Sequence, residues 1–207
     1  MDKREKYLQE FLRDGETVQW KSTPNPVELL DADNGNSIIK RWTITTLITL
    51  ALLSSYIGYL EVKPELVVLV LFIAVYNILA PIEARRAINK NLSYYITDQR
   101  IILGGRNAAF YFMELNEIDE IRVVTGLTGN QSLVVGSAIF PKCEKNMRWQ
   151  SLHPKDDPDP MPEAGHVLGM TIYEPKNVEG ALGLLQGRVK MHYVDRSAPA
   201  RSVKEAA

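Results

Sequence analysis

Two apolar stretches, Trp42 to Leu60 and Glu65 to Ile82, stand almost end to end, separated by Glu61-Val62-Lys63-Pro64. Each nearly reaches the roughly 20 apolar residues that a helix needs to cross a bilayer. Neither has an ionisable side chain in its interior. The pattern predicts a transmembrane helical hairpin over 42–83. Pro64 suits the first turn of the second helix, where its fixed φ is already helical and its missing N–H would have no partner. Thr43, Thr45, Thr46 and Thr49 lower the hydropathy of the first stretch, but their hydroxyls can bond back to their own helix. Trp42, Tyr56 and Tyr59 fall near its ends, where amphipathic rings favour the lipid interface. The alternative for such runs is a pair of buried helices in a soluble domain.

Before the hairpin, Tyr7, Leu8, Phe11 and Leu12 recur at helical spacing, which predicts an amphipathic helix over Lys3 to Arg13 that lies on the membrane or on the cytoplasmic domain. Asp14-Gly15 ends it. Glu16 to Lys21 alternates as a strand, and Asp31 to Ser37 is polar and turn-forming. After the hairpin the period changes. Leu92 to Thr97 and Arg100 to Leu103 read as two strands joined by Asp98-Gln99, followed by strands at Ala109 to Glu114, Ile118 to Val124, Ser132 to Ile139 and Val167 to Tyr173. Val178, Leu182, Leu185 and Val189 form one apolar stripe, so a helix is expected over Pro175 to Lys190. Pro141 to Gly165 carries five prolines and few large apolar residues and reads as a long surface loop.

The division that follows is an N-terminal cytoplasmic helix and strand region over 1–41, the hairpin over 42–83, a cytoplasmic α+β domain over 84–194 with the loop at 141–165, and a disordered tail over 195–207. Lys40 and Arg41 precede the first span and Arg85, Arg86 and Lys90 follow the second. Such charges are retained on the cytoplasmic side during insertion. Both termini are therefore expected in the cytoplasm, with the protein integral to the cell (inner) membrane.

Charge and chemistry narrow the function classes. With 24 basic against 25 acidic residues, the net charge of −1 gives no field that would attract nucleic acid. Cys143 is alone, so neither a disulfide nor a CxxC site is available. His153, His166 and His192 lack the spacing of a metal motif, and Gly104-Gly105 does not continue into a phosphate-binding fingerprint. No metal or cofactor is expected. Asp156, Asp157, Asp159 and Glu163 are interrupted by Pro158, which breaks the spacing of a calcium loop. Cys143 and His153 would make a thiol pair, but no oxyanion device accompanies them, and the chain is read as non-enzymatic.

The remaining candidates concern contact. Lys40, Arg41, Arg85, Arg86, Lys90, Arg100 and Arg106 are candidate cations for anionic lipid or for a partner protein. Arg100 is expected to support its turn through Asp98 or to face solvent. Ala51, Ser54, Ser55 and Gly58 give the first span a small-residue face that would let another helix approach closely. Asn77, a polar group in the second span, should bond another helix, within the hairpin or in a neighbouring subunit.

The residues Gly15-Glu16-Thr17-Val18-Gln19-Trp20 with Pro24 and Pro26 ahead of the hairpin, then Tyr94-Tyr95-Ile96-Thr97-Asp98-Gln99-Arg100-Ile101-Ile102 behind it, carry a resemblance. Ile118 to Ile121 and Ile172-Tyr173-Glu174-Pro175 running into a terminal helix complete it. The order resembles the membrane-anchored bacterial pleckstrin-homology-like proteins. That resemblance implies a curled antiparallel sheet or barrel of about seven strands, capped by a C-terminal helix and held at the membrane by two spans. It also implies a non-catalytic accessory or assembly factor, or an oligomeric scaffold, whose partners are membrane lipids and other membrane subunits or copies of itself. The alternatives are an anionic-lipid-sensing module and, more distantly, a membrane enzyme. The 141–165 loop is an insertion relative to that pattern.

Overall fold

The computed structural model describes the chain except for residues 1–2, 27, 29, 31–34, 60–62, 106–108, 137–139, 141–146, 158–162 and 197–207. It divides into two units, a sheet unit (1–26 and 88–207) and a helical unit (27–87).

The sheet unit is a mixed α+β structure built on two sheets. It opens with α1 (Lys3–Phe11) and β1 (Val18–Ser22). After the helical unit come β2 (Ser93–Thr97), β3 (Arg100–Gly104) and β4 (Phe110–Glu114). These strands form an antiparallel sheet in the order β1-β2-β3-β4. A strand's side chains alternate between faces, and both faces of this sheet are covered. One carries Tyr95, Ile102 and Phe112, which are paired across β2, β3 and β4 and packed against Leu8, Phe11 and Leu12 of the α1 segment. The amphipathic helix thus lies on the sheet. The other face carries Tyr94, Ile96, Ile101 and Leu103, all buried. The Tyr94 hydroxyl donates to the Tyr173 carbonyl and accepts from its N–H, each at 3.2 Å, and burial pushes its pKa upward.

A 3₁₀ turn, Leu115–Glu117, leads to the second sheet. It contains β5 (Glu120–Thr125), β6 (Gln131–Val135), β7 (Lys155–Asp156), β8 (Val167–Ile172) and β9 (Lys190–Asp195), in the order β7-β8-β6-β5-β9. All pairs are antiparallel except β5 with β9. Ile121, Val123, Leu133, Val135, Met170 and Ile172 are fully buried. Backbone bonds join the two sheets at two corners. At one, Asn25 N–H donates to Glu174 (2.7 Å) and Lys176 N–H to Thr23 (3.0 Å). At the other, Phe112 N–H donates to Gly165 (2.8 Å).

Several expectations change here. The C-terminal helix is α5 (Val178–Leu185), capped by Asn177, whose side chain accepts from Gly180 N–H. It stops well short of Lys190, because Gly187 takes φ +84° and turns the chain into β9. Val189 completes the apolar stripe from beyond that turn. Asp195, placed in the tail by the sequence reading, ends β9, and 197–207 lie outside the described residues. The 141–165 segment is more than a surface loop. It contains α4 (Met147–Gln150) and β7, and it buries Met147, Gln150 and Ser151. The rest of it, at 141–146 and 158–162, lies outside the described residues.

The helical unit contains α2 (Gly35–Tyr59) and most of α3 (Pro64–Asn91). The start of α2 at Gly35 means that Asn36 and Ser37, read as part of a turn, are helical. The helices run antiparallel, with Trp42 Nε1 donating to the Ile78 carbonyl (3.2 Å) near one end and Lys63 N–H donating to the Tyr56 hydroxyl (2.6 Å) near the other. Among the described residues one helix, over Pro64–Glu83, is long and apolar enough to cross a membrane.

Candidate functional site

The β2–β3 turn carries a buried ionic network. Arg100 and Glu16 both have fully buried side chains. Arg100 Nη2 lies 2.8 Å and Nε 2.9 Å from the Glu16 carboxylate oxygens, and Nη2 also donates to the Phe11 carbonyl. The guanidinium sits between the rings of Phe11 and Phe112, at 4.9 and 4.6 Å from their centroids, a stacking that suits a planar cation. Thr97 Oγ1 donates to the same carboxylate at 2.7 Å. Burial acts to raise the Glu16 pKa, but the bonds from Arg100, Arg13 N–H and Thr97 outweigh it and hold the carboxyl below its ordinary range. Arg13, partly exposed, bridges Glu114 (2.7 Å) and Glu163. Those two carboxylates raise its pKa further.

This corrects the reading of Arg100. It is not a surface cation and does not pair with Asp98, which instead accepts from Thr17 N–H (2.8 Å). An Arg with no exposed side chain cannot be a contact residue for lipid. The sequence signal was an Arg heading the apolar run Ile101-Ile102-Leu103, and its acid partner lies 84 positions earlier.

The second cluster lies where β8 begins. His166 Nδ1 is 2.9 Å from Asp157 and Nε2 is 2.8 Å from Glu117, with the ring edge-on to Phe112 at 5.4 Å. Desolvation lowers the imidazole pKa, while the two carboxylates raise it and prevail. The three residues border a cleft of about 420 Å³ whose other walls include Asp119, Glu120, Met113 and Val167. The local backbone is set by glycine. Gly165 takes φ +91° and Gly136 φ +74°, and a Cβ at either would strike the facing backbone, at Phe110 and Leu168 respectively. The sequence reading treated His166 as one of three scattered histidines. Glu117, Asp157 and His166 converge only through β-pairing of distant segments. Among the described residues, no group of three or more His, Cys, Asp or Glu has an arrangement that could hold a metal.

The other candidates are dispersed. In the helical unit Asn77 bonds within the hairpin, accepting from Arg41 Nη2 (3.1 Å) and donating to the Ile73 carbonyl (3.0 Å). Beside it Thr45, Thr49, Ile48 and Val70 line a notch of about 280 Å³. Ala51, Ser54, Ser55 and Gly58 are exposed rather than packed against α3, and a Cβ on Gly58 would meet open space. Lys40 is exposed. Arg85, Arg86 and Lys90 belong to α3, but their side chains lie outside the described residues, as do Arg106 and Cys143 altogether. The His153 ring lies tilted against Trp149, with centroids 4.7 Å apart. Of the acidic group in the proline-rich segment, Asp157 is bonded to His166 and Glu163 to Arg13.

No protein-family model, curated protein or solved structure matches this chain.

Proposed function

We propose that the protein is a membrane-anchored, non-catalytic module. In this reading α2 and α3 form a two-span hairpin with both termini cytoplasmic. The sheet unit is a pleckstrin-homology-like domain that docks protein as an accessory or assembly factor, or as an oligomeric scaffold. The observation that carries the reading is the apolar surface of the helical unit. Leu47 is 61% and Phe72 68% exposed, and Ile44, Leu50, Leu52, Val68, Leu69, Ile73 and Val75 are also exposed. In water an uncovered surface of that extent marks a membrane or protein contact. The alternation of sides along two long helices suits lipid, which solvates every face of a helical pair.

Two features support the domain assignment: a four-stranded antiparallel sheet joined by backbone bonds to a second sheet, and a helix after the last antiparallel strand. β9, which follows that helix and pairs in parallel, departs from the pattern. The docking role is favoured over catalysis because both nitrogens of His166 are engaged by carboxylates. The lipid-sensing alternative is weakened, because Arg100 is buried and Arg41 is bonded to Asn77.

The test is alkaline carbonate extraction of membranes containing the full-length protein, followed by native mass spectrometry in mild detergent. Retention in the pellet, with masses at multiples of the 23.4 kDa chain or with a constant companion, is expected. Release by carbonate would overturn the anchor. A bare monomer would overturn the docking role.

A further inference from the structure

We propose that His166 is a proton-operated latch on the cleft that it borders. The geometry of its hydrogen bonds carries the argument. A neutral imidazole has one N–H donor and one lone-pair acceptor, whereas an ionised carboxylate only accepts. His166 has a carboxylate at each nitrogen, Asp157 at 2.9 Å and Glu117 at 2.8 Å. Both contacts are hydrogen bonds only when the ring carries two protons. Removal of one proton turns one bond into a lone pair facing a carboxylate oxygen.

The surrounding backbone determines which side lets go. His166 is fixed on β4 by the Phe112 N–H to Gly165 bond and by the bridge between Phe112 and His166. Asp157 follows β7 and its side chain is only 16% exposed, whereas Glu117 ends the 3₁₀ turn and is 48% exposed. The neutral ring therefore keeps its proton toward Asp157, where desolvation makes the bond stronger, and releases Glu117 to water. Glu117, Asp157 and His166 all line the cleft, so release of the turn widens its mouth.

Among the described residues the other charged groups near this region include Asp119 and Glu120, which line the cleft from the β5 side, with Glu120 also 3.2 Å from His192. They also include Glu163, whose backbone carbonyl accepts from His166 N–H and whose carboxylate pairs with Arg13 and Arg100. Arg13 and Arg100 lie over the Phe112 ring. The acidic neighbours reinforce the imidazolium and the arginines oppose it. A raised pKa agrees with the geometry. The latch is therefore fully closed below the ordinary histidine value of about 6.5 and opens as the pH rises through the folded value.

Two measurements on the full-length protein in detergent test this. The His166 ring titration, followed by NMR, is expected to have a midpoint above that of a free histidine, and a midpoint at or below it overturns the latch. Hydrogen exchange, corrected for intrinsic rates, is expected to show protection of amides 115–119 falling on the order of tenfold through that midpoint. Protection in β2 and β3 should stay constant and serves as the folding control. The fall should vanish in His166→Gln, which has no titration, and in Glu117→Gln, whose amide can donate to the neutral ring. Unchanged protection across the midpoint, or the same pH dependence in both variants, would refute the proposal.

Discussion

Arg100 and Glu16 lie wholly inside the sheet unit, whereas Leu47 and Phe72 stand more than half exposed on the helical one. The two units distribute apolar and polar side chains differently. In the sheet unit most apolar residues are hidden, although Trp149 and Tyr193 stand exposed, and the buried charges have partners: Arg100 has Glu16 and two aromatic rings, and Glu174 accepts from Thr128 and Asn130. In the helical unit Arg41 bonds Asn77, Asn77 and Thr49 also donate to backbone carbonyls, and many large apolar side chains face outward. Under the membrane reading proposed above, the placement of side chains reports the solvent of each unit.

The strongest way to break the contrast is to leave one buried charge alone. Glu16→Gln keeps the shape but strips Arg100 of its buried counter-charge, leaving the more distant and half-exposed Glu163 at 3.7 Å, and should cost about 3–5 kcal/mol, read as a lower urea midpoint for the detergent-solubilised protein. The same residue gives a pH signature. Its folded pKa is lowered, so its stabilisation is complete above the ordinary carboxylate value. It is lost as the pH falls through the folded one. That acid-side loss should be smaller in Glu16→Gln.

In the helical unit the complementary test adds a charge to the outward face. Ile73→Arg, near the middle of the Pro64–Glu83 segment, should disfavour insertion by about 2.5–3.5 kcal/mol and reduce the fraction retained after carbonate extraction. A water-facing pair of helices would tolerate the change, and an unaltered or more soluble protein would remove the contrast between the units.

Tyr94→Phe sharpens the description of the sheet unit. It removes the hydroxyl that bonds both the Tyr173 N–H and its carbonyl and should destabilise by about 1–3 kcal/mol in the same urea assay. Arg13→Ala is the smallest. Although it removes contacts with two carboxylates, the site is partly open to water, and the expected loss is below about 1 kcal/mol, shrinking further in high salt. A loss as large as that of Glu16→Gln would mean that the two arginines act as one unit.

The sequence was most readable where neighbours in the chain are neighbours in space. Tyr94 to Leu103 could be read because the strands and their turn are local, and the α1 segment because its apolar stripe is continuous. Arg100 was misread because nearby Asp98 offered an obvious partner while Glu16 did not. The helix was extended to Lys190 because Val189 fits its period, even though Gly187 supplies the stop and Met191, Tyr193 alternate with polar residues as a strand does. Prolines hid the order around Met147 and Ser151. The His166 cluster could not be assembled from spacing at all, because its members meet through the pairing of β7 with β8 and the contact of β4 with the start of β8.

β1 precedes both long helices in the chain and β2 follows them, yet Ser22 is paired with Tyr94 and Trp20 with Ile96. During synthesis, the first strand therefore emerges about 70 residues before the strand it pairs with. In the interval both long helices are synthesised. Closing so long a loop is entropically unfavourable and slow, and until it closes the edge of β2 stays open to other chains. Because β2 follows both helices in the chain, the β1–β2 pair can close only after they have been synthesised, and this edge of the sheet is completed late.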